Sequence, residues 1–222
     1  MTDHTAPTKA RILAAAGEIF GLRGFKDTTI RTIAKAADVN IAAINYHFRD
    51  KEGLYGAVLE DVFHLGFTRF PATMGLEAGA DAQERLRAFI RAMFYRLQSK
   101  EGWGGIAGRG RLIARELLDP SPAFEVILDR YIKPHRDLLL AIIADLVGPP
   151  LPRPEKLLPC AISIIGQCIY YALASSVIHK ISAENGPTED NLERLADFVW
   201  LFSLGGIAKV KDLSRPSPQV PV

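Results

Sequence analysis

The residues Ile44 to Tyr55, which read INYHFRDKEGLY, concentrate aromatic, amide and basic side chains near the start of an otherwise apolar chain. Amides and phenols both donate and accept hydrogen bonds, so they can contact the edges of DNA bases. Basic side chains and the free backbone amides of a helix N-terminus bind phosphate. The segment therefore has the chemistry to bind nucleic acid, although the same residues could equally cover the solvent-facing side of a helix bundle.

A short helix ending near Phe48 would present these groups. At about 100° per residue, a helix that turns Ile44 and Phe48 toward the core has an opposite side, here named the outer face, that consists of Ala42, Asn45, Tyr46 and Arg49. The outer face has small and polar groups but no aliphatic stripe, so it could approach a rigid partner closely. Two short helices and a tight turn before it give the spacing of a helix-turn-helix.

Turn and cap residues set the limits of these short helices. Gly24 is positioned to end the first helix, and Thr28 or Thr29 offers a hydroxyl that can cap the second. In the turn ADVN, Asp38 tolerates a left-handed backbone and Asn40 can cap the third helix. Three short helices are therefore predicted to be joined tightly.

Apolar residues recur at three- and four-residue steps along the rest of the chain, and no two-residue alternation is long enough for a sheet. Asp50 caps a longer fourth helix, and the periodicity then predicts helices over about 82–98, 109–118, 123–147, 155–182 and 188–209. Pro134 should kink the helix that contains it by removing a backbone donor. The sequence predicts an all-α fold.

The composition limits the classes of function. With 222 residues, 48% hydrophobic and a formal net charge of +2, the chain can bury a real core, and any nucleic-acid footprint must be a local patch. The two cysteines, Cys160 and Cys168, form neither a disulfide framework nor a metal pattern, and they suit a reducing compartment. No export signal is visible, so a cytoplasmic location is predicted.

One apolar run has the length of a membrane span. Leu157–Ile178 contains 22 residues without a formal charge. Pro159, Ser163 and Gln167 dilute the run, and a helix buried on several sides of a water-soluble protein produces the same pattern. The prediction is therefore no membrane contact and an apolar surface for a partner chain.

Residues 28–59, TTIRTIAKAADVNIAAINYHFRDKEGLYGAVL, resemble the DNA-binding signature of the TetR family of repressors. The resemblance lies in the helix-turn-helix spacing, the aromatic triplet at 46–48 and the KExL pattern at 51–54. INYHF, with RELLDPSPAFEVIL and IIGQCIYYAL further along, is most similar to the CecR-like branch. Asp38 replaces the glycine usual in the family turn, and Ile41 stands where a polar or basic residue is common, which leaves the base preference open.

The resemblance implies the organisation of the chain. A helix-turn-helix DNA-binding domain would span 1–54, an effector-binding and dimerisation domain 55–210, and the proline-rich end would be a disordered tail over 211–222. The implied protein is a regulator, a repressor released from a double-stranded operator with two half-sites by a small organic molecule. It would need no cofactor and would form a homodimer through its last two helices.

The same resemblance assigns DNA contacts by position. The residues concerned are Thr29 and Arg31 at the start of the second helix, Asn40, Ile41, Ala42 and Asn45 in the major groove, and Tyr46, His47 and Lys51 at the phosphates. Asn45 is a candidate for bidentate contact with adenine, and Ile41 or Ala42 could meet a thymine methyl group. His47 could equally be a packing residue with a satisfied ring nitrogen.

The larger part of the chain is expected to enclose an effector. Aromatic residues with a few polar groups are typical of small-molecule pockets, and the candidates are Phe67, Phe70, Phe94, Trp103, Tyr131, His135, Gln167 and Tyr171. Many of these could equally be plain core. Residues 162–178 and 198–207 are apolar around more of their circumference than one contact needs, which indicates a dimer surface, with burial inside one subunit as the alternative.

Enzyme chemistry has little support in the sequence. The glycine-rich stretch Gly102–Arg111 lacks the preceding strand and the Lys-Ser/Thr of a phosphate-binding loop, so a plain loop is predicted. Cys168 has no evident base, and no cluster has metal-ligand spacing, so neither catalytic nor metal-binding residues are predicted. The alternatives are a helical small-molecule-binding protein or enzyme with a vestigial helix-turn-helix, and a membrane-attached helical protein.

Overall fold

The computed structural model describes residues 5–104, 109–149 and 154–214, and the regular secondary structure within these ranges is helical. The α-helices are α1 (Thr5–Arg23), α2 (Ile30–Ala36), α3 (Ile41–Phe48), α4 (Lys51–Arg69), α5 (Ala82–Gln98), α6 (Arg109–Leu118), α7 (Phe124–Ile127), α8 (Lys133–Val147), α9 (Pro154–Leu173), α10 (Ser175–Ile181) and α11 (Leu192–Ser214). The all-α prediction is confirmed.

The helices form two compact units. Unit 1 comprises the chain up to Arg69 together with Lys100–Ile132, and unit 2 comprises Phe70–Ser99 together with the chain from Lys133 onward. The predicted domain boundary after residue 54 falls inside α4, which packs along its length with unit 1. Packing therefore divides the chain at a different place from the predicted functional boundary, which stays a prediction.

Helix α1 is at the centre of unit 1, where it packs against α2, α4 and α6. Its apolar residues Ile12, Ala16 and Phe20 recur at four-residue steps and are fully buried. The predicted helix-ending and turn residues are confirmed, because Gly24 has a φ of 81° and Asp38 has a φ of 52°. The cap residues of α2 and α3 accept the expected backbone hydrogen bonds.

Helix α5 is at the centre of unit 2, where it packs against α8, α9 and α11. Its first turn carries the reciprocal cap in which Asp81 accepts from the Glu84 amide and Glu84 accepts from the Asp81 amide. Buried aliphatic and aromatic residues from all four helices form one continuous core. Ion pairs and hydrogen bonds along one side of α5 join it to α11.

Two predicted helices are divided in the structure. The helix predicted over 123–147 contains a π-helical turn at Leu128–Ile132, and α8 restarts just before Pro134. A π-helical turn is one of the irregularities that bend a helix, and here it directly precedes Lys133 and Pro134; the kink itself stays a prediction. The helix predicted over 155–182 breaks at Ala174, where α9 and α10 meet with a bend of 76°.

The C-terminal helix also differs from its predicted limits. A 3-10 turn at Glu189–Asn191 precedes α11, with Thr188 capped reciprocally by Asn191. Because α11 ends at Ser214, residues 211–214 of the predicted tail are helical, and 215–222 lie outside the described residues. Among the described residues, no single helix has the length and apolar content needed to cross a membrane, and the bent pair α9–α10 meets that criterion only when the two helices are taken together.

Candidate nucleic-acid interface

Helix α3 is anchored by one side and presents the other to solvent. Ile44 is fully buried and Phe48 is 5% exposed, whereas Tyr46 is 79% exposed. The remaining members of the outer face are exposed as well. Ile41, at the first position of α3, is 38% exposed. The structure therefore presents the predicted base-reading side chains outside the core of unit 1.

The entrance to α3 is held by polar groups. The Asn40 side-chain oxygen accepts a hydrogen bond of 2.9 Å from the Ala42 amide, and so caps the helix. Arg11 of α1 donates to the carbonyl oxygens of Ala37, at 3.2 and 2.9 Å, and of Asp38, at 2.5 Å. Arg11 thus fixes the turn that sets the angle of α3. Sequence reasoning missed it because nothing in the periodicity of α1 distinguishes it from other exposed arginines.

The start of α2 carries the predicted contacts Thr29 and Arg31. Thr29 is the N-cap, and its Oγ1 accepts a 3.2 Å hydrogen bond from the Thr32 amide and lies 2.8 Å from the Thr32 hydroxyl. Arg31 follows in the first turn and is exposed. Within the part of the chain that the structure describes, Arg31 and Arg49 form no ion pair. Their charges are therefore available to a phosphate backbone.

The start of α4 positions Lys51. Its Nζ lies 4.3 Å from the centroid of the Phe25 ring, a cation–π contact that orients the ammonium group. Phe25 in turn packs edge-on against Tyr55, with centroids 5.0 Å apart. Asp50 accepts a 2.7 Å hydrogen bond from the Gly53 amide and so caps α4, as predicted. His47 is half-buried beside the Tyr46 ring, with centroids 5.1 Å apart.

A buried polar network supports this end of α4. The Tyr55 hydroxyl donates to Glu116 of α6 at 2.5 Å, and Glu116 also accepts from the amide and hydroxyl of Ser121, both at 3.0 Å. Burial, followed by the hydrogen bond and the negative charge of Glu116, raises the pKa of Tyr55 well above its usual value. Tyr55 is therefore a neutral donor, and the network joins α4 to α6 inside unit 1.

Unit 1 contains three of the predicted effector residues, and they contact one another. The rings of Phe67 and Tyr131 stack with centroids 5.5 Å apart, and Trp103 meets Phe67 edge-on at 5.8 Å. The Trp103 indole donates to the Val62 carbonyl at 2.8 Å. A Cβ added at Gly66 would lie 2.3 Å from the indole nitrogen, so glycine is required for this packing.

Unit 2 contains the other five predicted effector residues. Phe94 and Tyr171 contact each other with centroids 5.4 Å apart, whereas Phe70 packs on Tyr95. His135 is half-buried on α8. Gln167 lines an apolar groove of about 230 Å³ between α9 and α11. The eight predicted residues are thus divided between the two units, and their role as a ligand site stays a prediction.

Unit 2 also buries two polar side chains side by side. Arg96 of α5 is 3% exposed, and burial lowers its pKa to about 9 despite an opposing influence from Cys168. Burial raises the pKa of Cys168 to about 12. A thiol of this kind is scarcely ionised near neutral pH, so it is a poor nucleophile. Sequence reasoning found neither feature because the periodicity of α5 gives no sign that an arginine faces inward.

Helices α9 and α11 expose large apolar side chains. Ile162 and Tyr170 are each 60% exposed, and Phe198, Leu201 and Phe202 are exposed by 59–64%. A Cβ added at Gly166, Gly205 or Gly206 would meet no atom within 4 Å. These are the two segments predicted to form a dimer surface.

Other predicted features lie partly outside the described residues. Of the glycine-rich stretch 102–111, residues 105–108 are not described, and the remainder comprises a turn and the start of α6. Within the ranges that the structure describes, no group of three or more His, Cys, Asp or Glu side chains could hold a metal ion.

Comparisons with family models match most of the chain. The model described as bacterial regulatory proteins, tetR family, matches residues 12–58. The model described as HTH-type transcriptional dual regulator CecR, C-terminal domain, matches residues 82–207. The first match contains α2, α3 and the start of α4, and the second contains α5 through most of α11.

Individual relatives agree with the family models. The HTH-type transcriptional dual regulator CecR of Shigella flexneri is 31% identical over 162 residues, which cover 67% of this chain and 68% of that protein. The probable HTH-type transcriptional regulator YttP of Bacillus subtilis strain 168 is 27% identical over 138 residues, which cover 62% of this chain and 64% of that one. With YttP, therefore, the chain aligns over less than two thirds of the relative's own length.

The fold has solved counterparts. The crystal structure of AibR in complex with isovaleryl coenzyme A and operator DNA superposes with a TM-score of 0.64, at 22% identity, and covers 88% of this chain and 97% of that one. At this level of identity the likeness establishes a shared fold.

Proposed function

We propose, because the chain belongs to the TetR family of bacterial regulatory proteins and has the C-terminal domain of CecR-type regulators, that it is a ligand-responsive transcriptional regulator that binds operator DNA through α3. The observation that carries the proposal is the exposed outer face. Asn45 and Tyr46 project to solvent while Ile44 and Phe48 hold the helix on the core of unit 1. A helix held in this way can enter the major groove while the core of unit 1 stays folded.

The exposed side chains divide into base-reading and phosphate-binding groups. Asn45 has the donor and acceptor pair that matches the N6 and N7 edge of adenine, and Ile41 or Ala42 offers an apolar contact for a thymine methyl group. Arg31 and Lys51 supply charge for phosphates on either side of the groove, with Thr29 and Tyr46 as hydroxyl donors. His47, which is half-buried beside Tyr46, is also assigned a phosphate contact.

The direct test is binding to the DNA upstream of the protein's own gene, measured by gel retardation. A regulator retards this fragment more strongly than an unrelated fragment of equal length, and its affinity falls steeply as salt rises. Equal retardation of both fragments, or none, would contradict operator recognition. The same experiment separates the proposal from a helical ligand-binding protein or enzyme with a vestigial helix-turn-helix, which would retard neither.

We further propose that the two apolar faces on α9 and α11 pair with those of a second copy. A dimer is needed to contact two operator half-sites, and the glycines on these faces let helices approach closely. Phe202→Glu should convert the chain to a monomer in multi-angle light scattering. Leu118→Glu is the control, because Leu118 is an exposed leucine of α6 and belongs to neither face. A wild-type monomer, or a dimeric Phe202→Glu variant, would contradict this surface.

A small organic effector completes the proposal. AibR, whose fold is shared, was solved with isovaleryl coenzyme A and operator DNA, which supports a small-molecule ligand for this chain without naming it. The ligand must prefer one spacing of the two α3 helices, since equal affinity for both states would shift nothing. Native mass spectrometry of the purified protein should show a bound organic molecule, and its addition should release the DNA. We assign the protein no catalytic role and place it in the cytoplasm.

A further inference from the structure

Two residues other than glycine have a positive φ within the described chain, and they flank α3. Asp38, with a φ of 52°, lies in the turn before the helix, and Arg49, with a φ of 70°, follows its last residue. Residues with a side chain rarely adopt this backbone region, because Cβ crowds the neighbouring carbonyl. Asp38 is of a type that tolerates it, whereas arginine is not.

The backbone at Arg49 forms a tight γ-turn. Its φ and ψ are 70° and −59°, and the Asp50 amide donates to the Phe48 carbonyl at 2.9 Å. This form of the turn is rare and strained for an L-residue, and glycine would adopt it freely.

Neighbouring contacts fix the turn. A Cβ added at Gly53 would lie 2.2 Å from the Phe48 oxygen, so the first turn of α4 rests directly on the end of α3. The cap between Asp50 and the Gly53 amide fixes the same junction from the other side. The chain therefore cannot relax at Arg49 without separating the two helices.

No ion pair or side-chain hydrogen bond of Arg49 within the described ranges offsets this strain. The side chain is exposed, and within the described ranges it makes neither an ion pair nor a side-chain hydrogen bond. It follows Asn45 and Tyr46 by one helical turn, at the end of α3 nearest Lys51. Residues held in such sparsely populated backbone conformations cluster at functional sites.

We propose that Arg49 contacts a DNA phosphate and anchors the C-terminal end of α3 in the groove. This inference rests on the proposed function. The planar guanidinium can bind a phosphate through two hydrogen bonds, and it lies between the base-reading Asn45 and the phosphate-binding Lys51 along the chain. The strained turn directs the side chain outward at the point where a helical residue would continue α3.

The test compares three variants on a fluorescently labelled duplex of arbitrary sequence, with affinity measured over a range of salt. R49G should raise the melting temperature by about 2–4 °C, because strain is relieved, yet weaken binding about tenfold and reduce the salt slope by about 0.9 for each bound protomer. R49K keeps the charge and should keep the salt slope. D38G is the matched control: it relieves the other positive-φ position without removing a cation, so it should stabilise the fold with no loss of affinity.

The outcomes distinguish this inference from the proposed function. If the wild type binds neither this duplex nor the DNA upstream of its own gene, the proposed function fails. If the wild type binds and R49G binds equally well with an unchanged slope, the role of Arg49 is wrong. A loss of affinity in D38G as large as in R49G, or an R49K slope equal to that of R49G, would also overturn it, because the effect would then not depend on the charge at position 49.

Discussion

Cations in two regions of the molecule have opposite surroundings. Along the contact between α5 and α11, here named the α5–α11 seam, Arg87 binds Asp197 through two hydrogen bonds of 2.6 and 2.7 Å, and Arg91 binds Glu193 at 2.6 Å. In the helix-turn-helix, Arg31 and Arg49 are exposed and form no ion pair among the described residues.

The difference shows how charge is allocated in this chain. In the seam, each cation is paired with a carboxylate of the same chain, and the Trp200 ring centroid lies 5.3 Å from the Arg87 guanidinium in a cation–π contact. Near α3, positive charge is left for an external anion, although the formal charge of the whole chain is only +2. A mild net charge therefore conceals a local cationic surface, which an overall isoelectric point would not reveal.

Changing the salt concentration should distinguish the two regions most clearly, because DNA affinity should depend strongly on salt and the melting temperature should not. DNA affinity should fall by about three orders of magnitude or more between about 50 and 200 mM salt, because binding releases counterions from the phosphates and that release is less favourable at higher salt. Over the same range the melting temperature should change little, since exposed ion pairs contribute at most about 1 kcal/mol each. Binding titrations and thermal melts in matched buffers test this. A salt-independent affinity would contradict the assignment of the cations to DNA.

Asn45→Ala should have the next largest effect. Loss of a bidentate base contact removes about 1–3 kcal/mol of discrimination, so the preference at one operator base pair should relax while other positions keep theirs. The measurement is relative affinity for all single-base variants of the operator. If those relative affinities were unchanged, Asn45 would not read a base. Because Asn45 is exposed, the variant should melt at the wild-type temperature.

Lys51→Ala should weaken binding to every duplex by a similar factor. Removing one phosphate contact reduces the salt slope by about 0.9 for each bound protomer. Lys180→Ala on α10 is a suitable control, because Lys180 is an exposed lysine outside the helix-turn-helix. Equal slopes for the two variants would show that Lys51 does not face the DNA backbone.

Asp197→Ala should have the smallest effect. It leaves Arg87 without its bidentate partner on a half-exposed surface, so the free energy of unfolding should fall by less than about 1 kcal/mol, and less still at high salt. Glu125→Ala is the control for removal of an exposed acid. DNA affinity should not change, and a large loss of affinity in Asp197→Ala would mean that the seam and the DNA-binding region are not electrostatically independent.

Local signals in the sequence predicted the helix-turn-helix well. Caps at Thr29 and Asn40, the left-handed turn at Asp38 and the burial of Ile44 and Phe48 depend on short-range geometry, which residue type and spacing specify. Limits that depend on tertiary packing were predicted less well. The break at Ala174 has no glycine or proline to announce it, and apolar periodicity does not distinguish the π-helical turn before α8 from an α-helical turn.

The candidate sites divide in the same way. Exposure of the outer face followed from the helical wheel, whereas the positioning roles of Arg11 and Glu116 needed three-dimensional contacts with residues 26 and 61 positions away. The predicted effector residues were chosen for their aromatic character, which marks core and pocket alike. Residue type and spacing therefore predicted which side chains of α3 are exposed, whereas residue type alone does not distinguish a pocket lining from a core.

The contact between the Phe48 oxygen and Gly53 also has a mechanical consequence. Since no side chain separates the two helices there, we expect α3 and α4 to reorient together. Helix α4 has 19 residues and is about 28 Å long, so a tilt of about 5° about its far end would displace α3 by roughly 2–3 Å. In the proposed dimer, displacements of that size in each protomer would be enough to change the separation of the two α3 helices without any rearrangement inside the helix-turn-helix.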